Sequence, residues 1–545
     1  MACIGVSCFI QPQVDAEPIA AVNIPRDSRL FVSGGDPPQD LQEQFRTFNT
    51  RHSVEPNSIT WFASPAQLSP SLEYCHRFVE ELGEQQCGVW IVYPLPSVRE
   101  PRASESHSMF QMLPKLPGLR RLGISGAKMR LSSEMSTVGK LETIESLFLS
   151  GTGVTEKEVH QISGLKNLQS LDVSFTNVSD EAGEIIFKFT KLRSLNISGT
   201  RVSTQFVAGL SKSNVRLGTF KASRVNATEE SFLSVARSLP VNVIDVSGTK
   251  CGDEFLSYCL DSTKMSSIDV SGCKVSSESL RKTAGSICIE KLVLSDTEVG
   301  DESILGINRC EKLKSINLSG CKLLTQVGVL RLKINQLSEI NLSNTNISVG
   351  VGEFLSSGKK LQVIDVSDTG CTNKDLAGVG QCRQLVVLNL SNTAVDCSGI
   401  ASLRNCSNIE VLLLGGLDLR GDLSASLGDR PHLKILFLDG SKLSAGEICH
   451  VIRGCPDLQE VHVGGAALDD CFFSECLAHK TLRTVGIAGC SGVTVDGISN
   501  LMMMPKLSLI NLSIPADKKL LADMRRVVVA RESYVYVNWL PSVGE

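Results

Sequence analysis

A short phrase, L-x-x-L-x-L-S-G-T-x-V, recurs along most of this chain and constrains its fold more than any other feature. Clear copies occupy 192–202, 313–323 and 385–395. The copies begin at positions 119, 144, 168, 192, 217, 241, 265, 289, 313, 337, 361, 385, 409, 433, 458, 482 and 507. Successive starts are therefore 24 or 25 residues apart. Such a constant period predicts a solenoid of about 17 stacked units, in which neighbouring units bury a continuous core.

The hydrophobic pattern within each copy predicts the structure of one unit. If the first Leu is offset 0, then offsets 0, 3 and 5 are Leu, Ile or Val, with exceptions such as Phe220 and Ala222. Offsets 3 and 5 follow the two-residue alternation of a strand that is buried on one face. Capping boxes at 155–158 and 444–447 then indicate helix starts. We therefore expect an α/β fold, with a parallel sheet on the concave side and helices on the convex side.

The phrase resembles the cysteine-containing leucine-rich repeats, because Cys273, Cys321 and Cys490 stand at offset 8, where other copies have Thr. It is most similar to the repeats of large trypanosomatid proteins of this class. The resemblance covers about 119–515. It implies a curved, horseshoe-shaped leucine-rich-repeat solenoid that is used for protein–protein contact.

The domain boundaries follow from where the phrase begins and ends. Residues 1–112 lack it, but they contain three β-rich runs (30–32, 59–62 and 89–93) and two helical patterns (40–48 and 71–82). We interpret 1–112 as an N-terminal capping region of degenerate β-α units, although a separate small α/β domain remains the alternative. The repeat array then spans 113–515. Residues 516–545, which include Trp539, are predicted to form the C-terminal cap.

The charge composition argues against partners that are strongly charged surfaces. The chain has 54 Lys and Arg residues against 58 Asp and Glu residues, for a formal charge of −4. This balance offers no broad field for nucleic acid or anionic lipid. No apolar run approaches the roughly 18 residues that span a bilayer. Residues 1–10 are apolar, but they lack the basic region and cleavage site of a signal peptide.

The nineteen cysteines predict free thiols rather than a disulfide scaffold. Their number is odd, no C-x-x-C occurs, and many of them occupy repeat-defined core positions such as Cys310 and Cys382. Free thiols are typical of a reducing compartment, so we expect an intracellular, cytoplasmic protein. Whether Cys3 or Cys8 is acylated stays open.

No pattern in the sequence indicates catalysis. Asp172, Asp245, Asp269 and Asp365 recur at offset 4, but no His or further acid joins them in a ligand-like cluster. We interpret them as solvated residues that cap the strand ends. Phosphate-loop, zinc-protease and nucleophile-elbow motifs are also missing from the sequence. We therefore expect no enzyme activity, no cofactor and no metal site.

The predicted concave face changes character in a few neighbouring repeats. Offsets 2, 4 and 6 point towards this face and are mostly small and polar, but four successive repeats carry apolar residues there. The predicted partner-binding residues are Val363, Val387, Val411, Leu413, Ile435 and Phe437. Contiguous apolar patches of a few hundred Å² usually serve a partner. Two alternatives are a patch covered by the chain's own residues 1–10, and a β-propensity preference without function.

The function predicted from these observations is a non-catalytic scaffold that binds a protein partner on the concave face. The alternative is an adaptor that presents substrates to a ubiquitin ligase, or a regulatory subunit of a phosphatase. Residues 1–112 show no L-P-x-E-like F-box helix, and no Cys/His spacing suits a RING domain. A direct regulator of a GTPase would need an acidic or arginine-bearing concave edge, which the sequence does not show.

Overall fold

The computed structural model describes residues 131–282, 288–348 and 350–504. It also describes the shorter stretches 59–63, 87–92, 110, 113–116, 118–125, 506–507, 509–513, 522–523 and 536–540. Several sequence-based expectations lie outside the described residues, namely those for 1–10, 30–32, 40–48, 71–82 and most of 516–545. The predicted domain boundaries therefore stay predictions.

The strands belong to two compact units, Met1–Cys251 and Gly252–Glu545. The first unit contains β1 (Ile59–Ala63), β2 (Cys87–Val92), β3 (Leu119–Ser125), β4 (Ser146–Phe148), β5 (Ser170–Asp172), β6 (Ser194–Asn196), β7 (Thr219–Lys221) and β8 (Val243–Asp245). The second contains β9 (Ser267–Asp269), β10 (Lys291–Val293), β11 (Ser315–Asn317), β12 (Glu339–Asn341), β13 (Val363–Asp365), β14 (Val387–Asn389), β15 (Val411–Leu413), β16 (Ile435–Phe437), β17 (Glu460–His462), β18 (Thr484–Gly486), β19 (Leu509–Ser513) and β20 (Tyr536–Leu540). Within each unit, every one of these strands pairs in parallel with the next.

Short helices connect the strands. In the first unit they are α1 (Ser132–Val138), α2 (Glu156–Gln161), α3 (Gly183–Ile186), α4 (Thr204–Ser211) and α5 (Glu229–Ser238). In the second unit they are α6 (Asp253–Asp261), α7 (Ser277–Lys282), α8 (Ile304–Ile307), α9 (Gln326–Val329), α10 (Gly352–Ser356), α11 (Asn373–Val379), α12 (Cys397–Ile400), α13 (Leu423–Leu427), α14 (Ala445–Arg453), α15 (Asp470–Ala478) and α16 (Val495–Met502). Short 3₁₀ turns lie at Leu113–Lys115, Ile162–Gly164, Asp180–Ala182, Asp301–Ser303 and Ala401–Asn405. The predicted alternation of strand and helix is confirmed.

The repeat phrase accounts for both the core and the turns. Leu168, Leu171 and Val173, at offsets 0, 3 and 5 of one copy, are at most 1% exposed. The capping boxes predicted at 155–158 and 444–447 are both present. At offset 7 the backbone adopts a positive φ, for example 64° at Gly248 and 55° at Asn344. Gly and Asn tolerate this conformation, which explains why they alternate at this position.

The residues at offset 8 hold the turn by two different hydrogen bonds. Where the residue is Thr, its hydroxyl donates to the carbonyl three residues earlier, as Thr297 Oγ1 does to Leu294 O at 2.6 Å. Where it is Cys, the thiol donates to the preceding coil, as Cys321 Sγ does to Leu294 O at 3.1 Å. The cysteines that the structure describes are free thiols, and most are buried as the repeat positions predict.

One copy departs from the predicted register. The copy at 313–323 places Leu323 in the slot that holds a buried Val elsewhere, but Leu323 is 61% exposed. Leu324 occupies the buried slot instead and is 0% exposed. The turn contains one extra residue here, and the length of the following segment hides it because the 24-residue period is kept.

Candidate protein-binding surface

The six apolar residues predicted to bind a partner lie on four adjacent strands of the second unit. They are Val363 on β13, Val387 on β14, Val411 and Leu413 on β15, and Ile435 and Phe437 on β16. The strand register aligns the four β-branched residues in one row across the sheet. It also pairs Leu413 with Phe437 in a second row. We call these six residues the apolar sheet surface.

The side chains of the apolar sheet surface are packed more closely than the sequence suggests. Val387 and Leu413 are 7% and 6% exposed, and the other four residues are half-buried. The physical reason is the strand spacing of about 4.8 Å, which lets equivalent side chains on neighbouring strands cover one another. The result is a low, rigid surface, and ordering such side chains against a partner costs little entropy.

A buried carboxylate adjoins this surface and has one oxygen without a donor. Asp365 lies two residues after Val363 and is 1% exposed. Its Oδ1 accepts hydrogen bonds from the backbone N–H and the hydroxyl of Ser367, at 3.0 and 2.7 Å. No donor in the part of the chain that the structure describes satisfies its Oδ2. Asn389, on the next strand, donates its Nδ2 to Ser367 Oγ at 3.2 Å. Burial raises the pKa of Asp365 above its ordinary value.

The same slot is satisfied elsewhere in the array. Asp172 Oδ1 accepts from the backbone N–H of Ser174 at 2.9 Å, and Asp172 Oδ2 accepts from Asn196 Nδ2 at 3.0 Å. The offset-4 residues thus cap the strand end, as we interpreted from the sequence. Asp365 differs because its second oxygen keeps an acceptor position. A buried acceptor without a donor costs free energy, which a partner's N–H or O–H would recover.

An aromatic pair borders the apolar sheet surface on β17. The ring of Phe437 stacks on the imidazole of His462, with centroids 4.0 Å apart and planes inclined by 6°. His462 is 7% exposed, and its Nε2 lies 2.8 Å from Glu460 Oε1. On the following strand, a Cβ at Gly486 would overlap the imidazole, so glycine makes room for it. The sequence did not identify His462 as part of this surface, because the pairing depends on contacts between coils.

Two clefts lie beside the strand starts of this region. One, of about 420 Å³, is lined by Gln362, Gln384, Val386, Asn408, Glu410 and His432. The other, of about 360 Å³, is lined by Glu290, Lys312, Lys314, Gln336, Ser338, Lys360, Gln362 and Gln384. Amide and charged side chains at these positions suit hydrogen bonds to a polypeptide backbone. Among the described residues, no group of three His, Cys, Asp or Glu side chains is placed to hold a metal ion.

A second group of apolar side chains, on the helix side, escaped the sequence analysis. Leu305, Leu323, Val327 and Leu330 are between 48% and 63% exposed. Leu305 lies in α8, Val327 lies in α9, and Leu330 directly follows α9. Leu305 and Leu330 are 25 residues apart, close to one repeat period. The exposed Leu323 comes from the extra turn residue, and the Leu323-Leu324 doublet is the one signal that could have revealed it.

The described helices include none that is long and apolar enough to cross a membrane. A family model described as "Leucine Rich repeat" matches residues 164–186. No curated protein matches the chain. The repeat phrase, this match and the parallel strand order together identify the chain as a leucine-rich-repeat protein with an α/β solenoid fold.

Several solved structures are similar to this chain. An internalin from Listeria monocytogenes shares 14% identity over 71% of this chain and 89% of its own, with a TM-score of 0.34. The ectodomain of the Arabidopsis thaliana receptor kinase GASSHO1/SCHENGEN3, in complex with CASPARIAN STRIP INTEGRITY FACTOR 2, shares 13% identity over 83% of this chain and 64% of its own, with a TM-score of 0.39. The Arabidopsis receptor kinase HAESA, in complex with the peptide hormone IDA and the co-receptor SERK1, shares 16% identity over 83% and 77%, with a TM-score of 0.37.

Proposed function

From this leucine-rich-repeat architecture, we propose that the protein is a non-catalytic scaffold that binds a protein partner at the apolar sheet surface. The observation that carries the proposal is the coincidence of two features on β13–β16. One is a pair of apolar rows in strict register. The other is the unpaired Oδ2 of Asp365 beside them. This combination suits a polypeptide that covers the valines and donates one hydrogen bond to Asp365.

The test compares partners recovered with tagged full-length protein from its native cells. The test variant is Val411→Thr with Ile435→Thr, which places hydroxyls in two adjacent half-buried positions while keeping β-branched side chains for the strands. We expect a defined partner to fall at least about tenfold in recovery, which corresponds to about 1.4 kcal/mol of binding free energy. Circular dichroism and thermal unfolding check that the variant folds.

The matched control changes exposed apolar residues on the helix side, as Leu305→Ser with Leu330→Ser. The control is expected to recover the partner as the wild type does. If the control loses the partner and the sheet variant keeps it, the helix side is the binding surface and the proposal is wrong. The proposal also fails if both variants keep every partner.

The same purification separates the scaffold from the adaptor alternative. Recovery of cullin or phosphatase subunits, lost in the sheet variant, would favour a ubiquitin-ligase adaptor or a phosphatase regulatory subunit. A partner without such subunits favours a scaffold. The free thiols of the described cysteines agree with the intracellular, cytoplasmic setting that this proposal assumes.

A further inference from the structure

Two cysteine side chains from neighbouring coils lie in contact on the helix side of the second unit. Cys449 lies in α14 and Cys471 lies in the first turn of α15. Their Sγ atoms are 3.3 Å apart, although the residues are 22 positions apart in the chain. A disulfide bond is about 2.05 Å long, so the two sulfurs need to approach by little more than about 1 Å.

The two thiols differ in their access to solvent. Cys471 is exposed, whereas Cys449 is 1% exposed. Burial raises the pKa of the Cys449 thiol to about 12, and the adjacent Cys471 adds to this effect. An oxidant in solution therefore meets Cys471 first. This pairing, an accessible thiol beside a shielded one, is the arrangement of a reacting and a resolving cysteine.

The helices that carry the thiols are also joined by an ion pair. Arg453 Nε in α14 lies 2.6 Å from Glu475 Oε2 in α15. Cys449 and Arg453 are four residues apart on α14, and Cys471 and Glu475 are four residues apart on α15, so each pair occupies one helix face. The two contacts therefore hold the same helix faces together.

We propose that Cys449 and Cys471 are a redox modification site, at which a peroxide converts the two thiols into a reversible disulfide between neighbouring coils. The Cys471 thiolate attacks one peroxide oxygen, the O–O bond breaks, and water leaves, which forms a sulfenic acid. The Cys449 sulfur then attacks the sulfur of Cys471, the S–O bond breaks, and a second water leaves with the Cys449 proton. The two thiols lose two electrons and the peroxide gains them.

The disulfide would connect the two coils that carry Phe437 and His462 on their strands. A bond across 22 residues restricts the unfolded chain and should raise the unfolding temperature of the oxidised protein. The site does not depend on the proposed partner, so its test does not require one.

The experiment treats reduced full-length protein with hydrogen peroxide and then alkylates the remaining thiols. Digestion with trypsin and a protease that cleaves after Glu separates Cys471 from Cys476, because cleavage occurs at Glu475. We expect a cross-linked product of residues 448–453 and 461–475 in mass spectrometry, with the summed peptide mass less two hydrogens. We also expect Tm to rise by several degrees and to return to its original value with dithiothreitol.

Two variants make the result specific. Cys471→Ser changes an exposed residue and should abolish both the cross-link and the Tm rise. Cys397→Ser, the matched control at a half-buried thiol of another coil, should change neither. The proposal is overturned if Cys449 remains fully alkylated after Cys471 has been oxidised. It is also overturned if Cys471 instead links to Cys476 or to a second molecule, or resists oxidation.

Discussion

At the scale of single residues, the repeat assigns most polar side chains a structural role. The Asp or Asn at offset 4 accepts a hydrogen bond from the backbone two residues later, as Asp245 does from Ser247 and Asn317 does from Ser319. The sequence predicts this role from the regular spacing alone. It does not predict that Asp365 would be almost fully buried with one oxygen unpaired, because that depends on how neighbouring coils cover it.

The buried charge of Asp365 should make stability depend on pH. Its pKa is raised by burial, so the folded protein holds this proton more tightly than the unfolded chain does. Protonation therefore stabilises the fold, and this stabilisation is lost as pH rises through the folded-state pKa. We expect Asp365→Asn to raise Tm at pH 7, and the difference from the wild type to shrink as pH falls towards about 4.

Thermal unfolding at several pH values measures this effect. Asp172→Asn is the matched control, because both oxygens of Asp172 already accept hydrogen bonds. The control should not raise Tm at pH 7. A difference between Asp365→Asn and the wild type that stays constant down to pH 4 would contradict the assignment.

At the scale of helices and strands, small residues allow neighbouring coils to approach. A Cβ at Gly378 in α11 would overlap the backbone oxygen of Gly352 in α10. A buried arginine also joins coils: the Arg430 guanidinium donates to Cys406 O at 2.8 Å and to Leu403 O at 2.7 Å. The sequence shows the helix periods, but it does not show which glycine faces a neighbouring backbone or which arginine is buried.

Gly378→Ala should destabilise the protein by about 2 kcal/mol, because the added methyl group would push two helices apart. This loss outweighs the helix preference of Ala over Gly, which is about 1 kcal/mol. Gly446→Ala in α14 is the matched control, since no atom lies within 4 Å of its added Cβ. The control should stabilise by about 0.4–1 kcal/mol. Denaturant unfolding measures both, and equal effects of the two changes would disprove the close-approach argument.

At the scale of the whole molecule, the array is a series of coils that contact their neighbours in the chain. Each described strand pairs with those before and after it in its unit, as β5 pairs with β4 and β6. Beyond the clear repeats, β1 and β2 pair with each other, and β2 pairs with β3. Stability in such arrays is approximately a sum over coils and the interfaces between them.

Removal of one complete coil should therefore leave a folded protein. Deletion of 168–191 joins two equivalent positions of the repeat in the first unit and removes 24 residues. We expect the circular dichroism spectrum to keep its shape and partner binding at the apolar sheet surface to persist, since that surface lies in the second unit. Aggregation of the shortened chain, measured by size-exclusion chromatography, would contradict this expectation.

The amino-acid sequence by itself determined the coil period, the buried offsets, the turn positions and the alignment of the six apolar residues. These follow from local periodicity, because a constant repeat length gives every strand the same register. The tertiary structure alone decided the shallow packing of the apolar sheet surface, the unpaired oxygen of Asp365, the exposure of Leu323 and the contact between Cys449 and Cys471. Each of these depends on distances between side chains of different coils, and no periodic pattern in the chain encodes such distances.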